Sequence, residues 1–225
     1  MSLEPSRTVE LAHARDRAEV LMAEINHRVS NSLALVSSLV NLQARALVDR
    51  EAKEAFSETR DRILAISLVH KRLYSSENAR FVALDAYLEG LLDHLYNTMG
   101  NRDSGVTLSH KIDPIQLGTD ASVSLGVLVT ELVTNSFKYA YPGKDGEIRV
   151  RLSKLPDECA ELIVEDDGVG RCDDKPLQGT GLGTKIINAM CANMGGKIEY
   201  TRQRVGTAAR LVFPAKTASQ GQNIT

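Results

Sequence analysis

Apolar residues recur along the first fifth of the chain with a helical period and no interruption. Residues 8 to about 47 contain neither Gly nor Pro. Within them Leu11, Ala14, Ala18, Leu21, Ile25, Arg28, Ser32, Leu35, Leu39, Leu42 and Ala46 follow alternating steps of three and four. That spacing predicts one long helix carrying a coiled-coil or bundle seam. A second stripe, Val29, Leu33, Val36 and Val40, begins only after residue 28, so the helix asks for one neighbour early and several later. Another helix is predicted from Glu51 to Tyr74, with Ile63, Leu64, Ile66, Leu68, Val69 and Leu73 on its apolar side. Two helices joined by a short turn make a hairpin that cannot bury both stripes alone. Homodimerisation into a four-helix bundle is the simplest remedy; packing of the seam on the chain's own C-terminal half is the alternative.

The pattern changes after Ser75-Ser76-Glu77-Asn78. An amphipathic helix is predicted from Leu84 to Met99, a strand from Gly105 to Ile112 and a long helix from Ala121 to Ala140. Strands are expected at Glu147 to Ser153 and Glu161 to Glu165, with a turn at Pro156-Asp157 between them. A glycine-rich loop leads into a helix from Thr184 to Met194, and strands from Lys197 to Arg202 and Ala208 to Phe213 flank Gly206. The expected class is α+β: a helical hairpin over residues 1–78, then an α/β sandwich with a mostly antiparallel sheet over residues 79–216. Residues 217–225 are small and polar and are read as a disordered tail.

Composition narrows the function classes. Of 225 residues, 43% are hydrophobic and 25% charged, ordinary for a globular protein. Aromatic residues make up 4% and Trp is absent, which argues against a stacking surface for single-stranded nucleic acid. A net charge of −2 gives no broad basic field for DNA or an acidic membrane. No apolar run approaches the roughly 20 residues that span a bilayer, and the opening Met-Ser-Leu-Glu-Pro-Ser-Arg lacks the order of a secretory signal. Cys159, Cys172 and Cys191 are odd in number and without metal-ligand spacing, which fits a reducing compartment. These features predict a cytoplasmic protein that binds no nucleic acid and carries no membrane span.

Four short motifs in the second half carry candidate chemistry. In Glu131-Leu-Val-Thr-Asn135-Ser-Phe-Lys138-Tyr139 the spacing puts Glu131, Asn135 and Lys138 on one helix face. A carboxylate, an amide oxygen and an ammonium suit a magnesium–phosphate unit, because Mg2+ prefers hard oxygen ligands; a solvated helix face fits the same spacing equally well. Asp166-Asp167-Gly168-Val169-Gly170 follows an apolar strand. A carboxylate there can accept a hydrogen bond from an adenine amino group, though a common turn has the same pattern. Gly179-Thr180-Gly181-Leu182-Gly183 opens a helix whose N-terminal N–H groups offer an anion site. It is not a dinucleotide fingerprint, since the preceding Arg171 to Gln178 is polar and holds a proline where a strand is needed. Gly206-Thr207 offers a hydroxyl to the same adenine, or is only a hairpin turn.

Together, the order and separations of these motifs resemble the GHKL-type ATP-binding fold shared by histidine kinases, gyrase-type ATPases, Hsp90-type chaperones and mismatch-repair ATPases. The resemblance covers roughly residues 80 to 214. It implies ATP and Mg2+ as ligands, with Asn135 holding the metal and Glu131 polarising through water. It assigns Lys138 to phosphate, Tyr139 to the nucleotide wall and Asp166 to the adenine, with Gly168 and Gly170 shaping the pocket. Gly179, Gly181 and Gly183, with Thr180 and Leu182 between them, close on the phosphates. Thr207 is counted among the nucleotide-binding residues, and the stretch between the two glycine motifs corresponds to a short lid.

His27 lies in Glu24-Ile-Asn-His27-Arg28-Val-Ser-Asn31-Ser-Leu33 on the first helix. At about 100° per residue it points roughly 200° from Ile25, away from both seams. An exposed imidazole with a carboxylate one turn away can attack a phosphorus atom; a polar helix surface that simply holds a histidine is the plainer reading. The surrounding residues resemble the phosphoacceptor box of the dimerisation-and-phosphotransfer domain of HWE kinases and their relatives, where Glu-x-x-His-Arg-Val and a following Asn-x-Leu recur. The likeness continues through Arg62-Ile63 to Val69-His70-Lys71-Arg72-Leu73-Tyr74. Ser30 and Ser32 stand where Lys and Asn are common, and without Trp the HWE signature is impossible, which puts the chain with the non-HWE relatives.

That resemblance implies a two-component sensor histidine kinase core, with ATP-dependent autophosphorylation on His27 and transfer to an aspartate of a response-regulator receiver domain. Glu24 is expected to orient the imidazole or take its proton, and Glu131 to act in catalysis. Input is expected from an upstream sensor domain or protein. The alternatives are a response-regulator phosphatase or phosphotransferase with weak kinase activity, and a nucleotide-gated binding module without phosphotransfer. His70 is expected to be structural; His13, His94 and His110 have no evident partners and are expected at the surface.

Overall fold

Nothing in the first 46 residues after Pro5 interrupts a helix, and none is interrupted. The computed structural model describes residues 4–75, 81–100, 105–170, 181–202 and 205–215. Helix α1 runs over Glu4–Ala46 and α2 over Arg50–Ser75. Asp49 starts α2 by accepting the Ala52 N–H on Oδ2 at 2.9 Å, a side-chain cap that satisfies one of the orphan donors of the first turn. Helix α2 packs on α1 along one side and on the C-terminal half along the other. Ala65 and Val69 are fully buried there, and the Tyr87 hydroxyl donates to Ala65 O at 3.0 Å. Helix α2 therefore buries its stripe on the chain's own second half, while the α1 seam finds no cover within the single chain. Leu21, Ile25, Leu35, Leu39 and Leu42 remain between 52% and 63% exposed.

The second half is built on a five-stranded sheet of β2 (Val106–Ile112), β4 (Gly146–Leu155), β5 (Cys159–Asp166), β6 (Lys197–Arg202) and β7 (Thr207–Pro214), in the order β2-β4-β5-β7-β6. Strand β2 pairs parallel to β4, and the other neighbours are antiparallel. Strands β1 (Phe81–Ala83) and β3 (Gln116–Gly118) form a small separate pair that the sequence did not announce, because three residues are too few to show a period of two. Helices α3 (Leu84–Met99), α4 (Thr119–Tyr139) and α5 (Leu182–Asn193) complete the domain.

Alternation sorts the central strands. Ile148, Val150, Leu152, Leu162, Leu211 and Phe213 enter the core. The opposite face carries cross-strand ion pairs, with Arg149 Nε 2.7 Å from Glu165 Oε1 and Arg210 Nε 2.6 Å from Glu161 Oε1. The β4–β5 turn places Asp157 and Glu158 at φ 58° and 54°, the left-handed pair that tight hairpins with matching twist require. Helix α4 is the centre of the domain, buried almost all round from Ser122 to Thr134. Its Ser122 and Thr130 hydroxyls fold back on the main chain, with Thr130 Oγ1 donating to Gly126 O at 2.9 Å. The expected boundary near residue 78 and the tail at 217–225 lie outside the described residues.

Candidate active site

The end of β5, the start of β7 and the C-terminal half of α4 converge on Asp166. This carboxylate is buried and held on both oxygens: Ser136 Oγ donates to Oδ2 at 3.2 Å, while Gly168 N–H (3.1 Å) and Thr207 N–H (3.2 Å) donate to Oδ1. Burial pushes its pKa above the usual carboxylate value, against the pull of those hydrogen bonds toward the charged form. Thr207 is the register partner of Asp166 across the β5–β7 ladder, and it meets that carboxylate through its main chain. Two glycines are sterically required. A Cβ on Gly168 would lie 2.3 Å from Ala140 O, and one on Gly206, whose φ is +85°, would lie 1.8 Å from Asp166 O. The turn is pinned to the end of α4 by Val169 N–H donating to Ala140 O at 2.9 Å.

Asp167 does a different job. Its Oδ1 accepts the Glu147 N–H and the Tyr141 hydroxyl, each at 2.8 Å, and its pKa is held down by the Glu147 N–H and by Tyr141. The Tyr141 hydroxyl also lies 2.7 Å from Glu147 O, and burial raises its own pKa. Asp167 thus ties β4 to the glycine turn.

On α4, Glu131 is 5% exposed, Asn135 and Lys138 are half-buried, and Tyr139 is exposed. Both Glu131 oxygens receive Arg62 of α2, Nε at 2.5 Å and Nη2 at 3.2 Å. Lys138 Nζ donates to Glu58 Oε1 at 2.6 Å, and Arg62 Nη2 reaches Glu58 Oε2 at 3.1 Å. Helix α5 opens at Gly181 with φ +68° and places Leu182 and Gly183 in its first turn. A Cβ on Gly183 would meet Glu131 Oε2 at 3.0 Å, so the start of α5 lies beside that carboxylate. Gly170 takes φ +75° next to Gly206. Gly179 and Thr180 lie outside the described residues. Asn135 offers a hard oxygen one turn from Glu131, whose own two oxygens are engaged by Arg62. The Asn135 oxygen suits Mg2+, which takes one or two protein oxygens and completes its shell with water and phosphate.

His27 lies on α1, and its side chain falls outside what is described. Glu24, expected to serve that imidazole, accepts Arg28 Nη2 at 2.7 Å and Nε at 3.0 Å on the exposed surface. His70 is half-buried, and burial lowers its pKa while Asp120 opposes the shift. His94 corrects an expectation: it does have partners, Thr98 Oγ1 at 3.3 Å and the fully buried Asp61 at 3.8 Å. His13 and His110 are exposed. The reading from sequence missed Glu58, Arg62, Ser136, Tyr141 and Asp167 as contributors. Ser136 had a signal, its place beside Asn135; Arg62 had none, lying 69 residues from Glu131.

A helix-covered mixed sheet with a desolvated aspartate, an Asn-bearing helix and a glycine-opened helix at one end defines the ATP-binding class, here joined to a helical hairpin. A family profile described as histidine kinase matches residues 24–99, and one described as histidine kinase-, DNA gyrase B- and HSP90-like ATPase matches residues 120–217. The chain belongs to the histidine kinase family. It is 30% identical over 191 residues to the sensor histidine kinase PdtaS of Mycobacterium tuberculosis, covering 82% of this chain and 38% of that protein. It is 26% identical over 216 residues to blue-light-activated histidine kinase 2 of Erythrobacter litoralis, covering 93% of this chain and 59% of that one. The chain therefore spans between 38% and 59% of the length of these relatives. The solved histidine kinase domain of an Erythrobacter litoralis blue-light-activated kinase shares the fold, with a TM-score of 0.66 at 23% identity over 89% of this chain and 96% of that chain. Among the described residues no helix is long and apolar enough to cross a membrane.

Proposed function

We propose that this chain is the catalytic core of a two-component sensor histidine kinase, which transfers the γ-phosphoryl group of ATP to His27 and then to an aspartate of a receiver domain. The observation that carries the reading is Asp166, a desolvated carboxylate fixed on both oxygens by Ser136, Gly168 and Thr207 beside the Asn135 helix. Asp166 accepts the adenine amino group, Gly168 and Gly170 let the ring approach, and Thr207 and Tyr139 complete the wall. Lys138 and the α5 start at Gly181, Leu182 and Gly183, continuing Gly179 and Thr180, bind phosphate. Asn135, with Glu131 through water, holds Mg2+, which neutralises phosphate charge when bound. ShkA, a full-length protein solved in complex with AMPPNP, shares this fold at a TM-score of 0.50 and 18% identity.

The neutral His27 imidazole attacks the γ-phosphorus, forming an N–P bond as the bond to the ADP oxygen breaks. Glu24 orients the ring and takes its proton, and the protein's contribution is mainly positioning. Residues 1–78 act as the dimerisation and phosphotransfer unit, residues 79–216 as the ATP-binding unit, with a cytoplasmic setting, a homodimeric α1 seam and an upstream sensor.

Incubation with γ-labelled ATP tests this. Acid-labile, base-stable label is expected on the wild-type chain and not on His27→Ala or Asn135→Ala. Label surviving in His27→Ala removes the acceptor assignment, and normal labelling of Asn135→Ala removes the metal assignment. An unlabelled wild type that strips phosphate from a phosphorylated receiver would favour the phosphatase reading suggested by Ser30 and Ser32.

A further inference from the structure

The hairpin reaches the nucleotide site through four side chains of alternating charge. Glu131 is gripped by Arg62, Arg62 also bonds Glu58, and Glu58 holds Lys138. Two of the four, Glu131 and Lys138, are the α4 groups that the proposed function assigns to magnesium and phosphate. The other two lie one turn apart on α2, in the unit that carries His27. We propose that Glu58 and Arg62 hold Glu131 and Lys138 away from the nucleotide, so that docking of α2 and binding of Mg-nucleotide compete for these two side chains. This rests on the nucleotide reading and adds a control to it.

Three features carry the inference. The side chains are 7% to 29% exposed, so the pairs are shielded from the salt screening that empties surface ion pairs of effect. Arg62 binds Glu131 as a two-pronged fork, the geometry in which a guanidinium holds a carboxylate best. Glu58 is an anion 2.6 Å from the ammonium assigned to phosphate, so it cancels the charge that a triphosphate needs and repels the triphosphate itself. A polyanion entering beside the α5 start draws Lys138 from Glu58, and magnesium draws Glu131 from Arg62. Both moves undo ties between α2 and α4. By linkage, α2 docking weakens nucleotide binding by the same factor as bound nucleotide weakens docking, so loosening α2 strengthens nucleotide binding up to that factor. A filled site thereby frees the helix pair that bears the acceptor.

The test uses the full chain, Mg-AMPPNP and titration calorimetry, with amide hydrogen exchange over residues 58–69. Glu58→Gln keeps the shape and removes the charge. It is expected to bind Mg-AMPPNP about fivefold or more tightly, within the usual range of such couplings, and to lose α2 protection in nucleotide-free protein. Arg62→Lys, which retains the charge without the fork, should move both quantities in the same direction by less. In the wild type, saturation with Mg-AMPPNP should speed exchange over the same residues. Equal or weaker binding by Glu58→Gln, or α2 exchange that nucleotide leaves unchanged or slows, overturns the competition while leaving the nucleotide site standing. Absence of binding by the wild type overturns the site reading, and the competition with it.

Discussion

Helices α1 and α4 are both long and both rich in regularly spaced Leu and Val, yet they end in opposite environments. Helix α4 is buried from Ser122 to Thr134, with Leu125 and Leu128 at 0% exposure. Helix α1 leaves Leu35 63% and Leu39 52% exposed. Periodicity says which face of a helix requires burial; it does not say whether the covering surface belongs to the same chain. The largest effect that separates the two is a core truncation. Leu128→Ala should cost about 2–5 kcal/mol in chemical denaturation, because it opens a cavity among close-packed neighbours. Leu35→Ala should cost less than about 0.5 kcal/mol when measured on the dilute chain, as surface changes do. Equal losses at both positions would show that the partner of α1 lies within this chain.

An intermediate effect is expected where α4 meets the sheet. Ser136→Ala removes one donor from Asp166, a loss of roughly 1 kcal/mol or about fivefold in nucleotide affinity. The pH dependence gives a sharper signature. Burial raises the Asp166 pKa and the Ser136 hydrogen bond lowers it, so deleting the hydroxyl raises it further. On the proposed reading, adenine is held by the ionised carboxylate as acceptor. Affinity should therefore fall as pH falls through that pKa, and the acid limb should move to higher pH in Ser136→Ala. A limb that stays in place while affinity drops would mean that Ser136 supports packing only.

The same contrast sets how far sequence reading reached. Local pattern was enough for α3 and β6, whose bounds Leu84–Met99 and Lys197–Arg202 are those expected; the contact of Asp166 with the Thr207 N–H comes from strand register, which the pattern did not give. The spacing of Glu131, Asn135 and Lys138 read correctly as one face of a helix. It left open what that face meets, and the answer, Arg62 and Glu58, depends on how α2 docks. No periodicity records a choice between residues 69 and 80 positions apart. The Glu24–Arg28 pair was accessible in principle, being an i, i+4 pair of opposite charge. Strands β1 and β3 were invisible because their pairing is set by the chain closing over α3, with Leu84 N–H donating to Ile115 O at 2.9 Å.

The smallest effect on the folded chain should belong to the double substitution Leu35→Glu, Leu39→Glu. Both side chains already stand in solvent in a single copy, and charges there disturb no packed neighbour, so the stability of the dilute chain should change by no more than about 0.5 kcal/mol. If a second copy covers the seam, association contributes to wild-type stability, which then rises with protein concentration. The variant should show no such rise, and its light-scattering mass should be that of one chain where the wild type gives two. Four carboxylates facing one another across a symmetric interface cannot be desolvated without partners. A wild type that scatters as a single chain at every concentration, with stability independent of dilution, would mean that α1 awaits a different surface from its own.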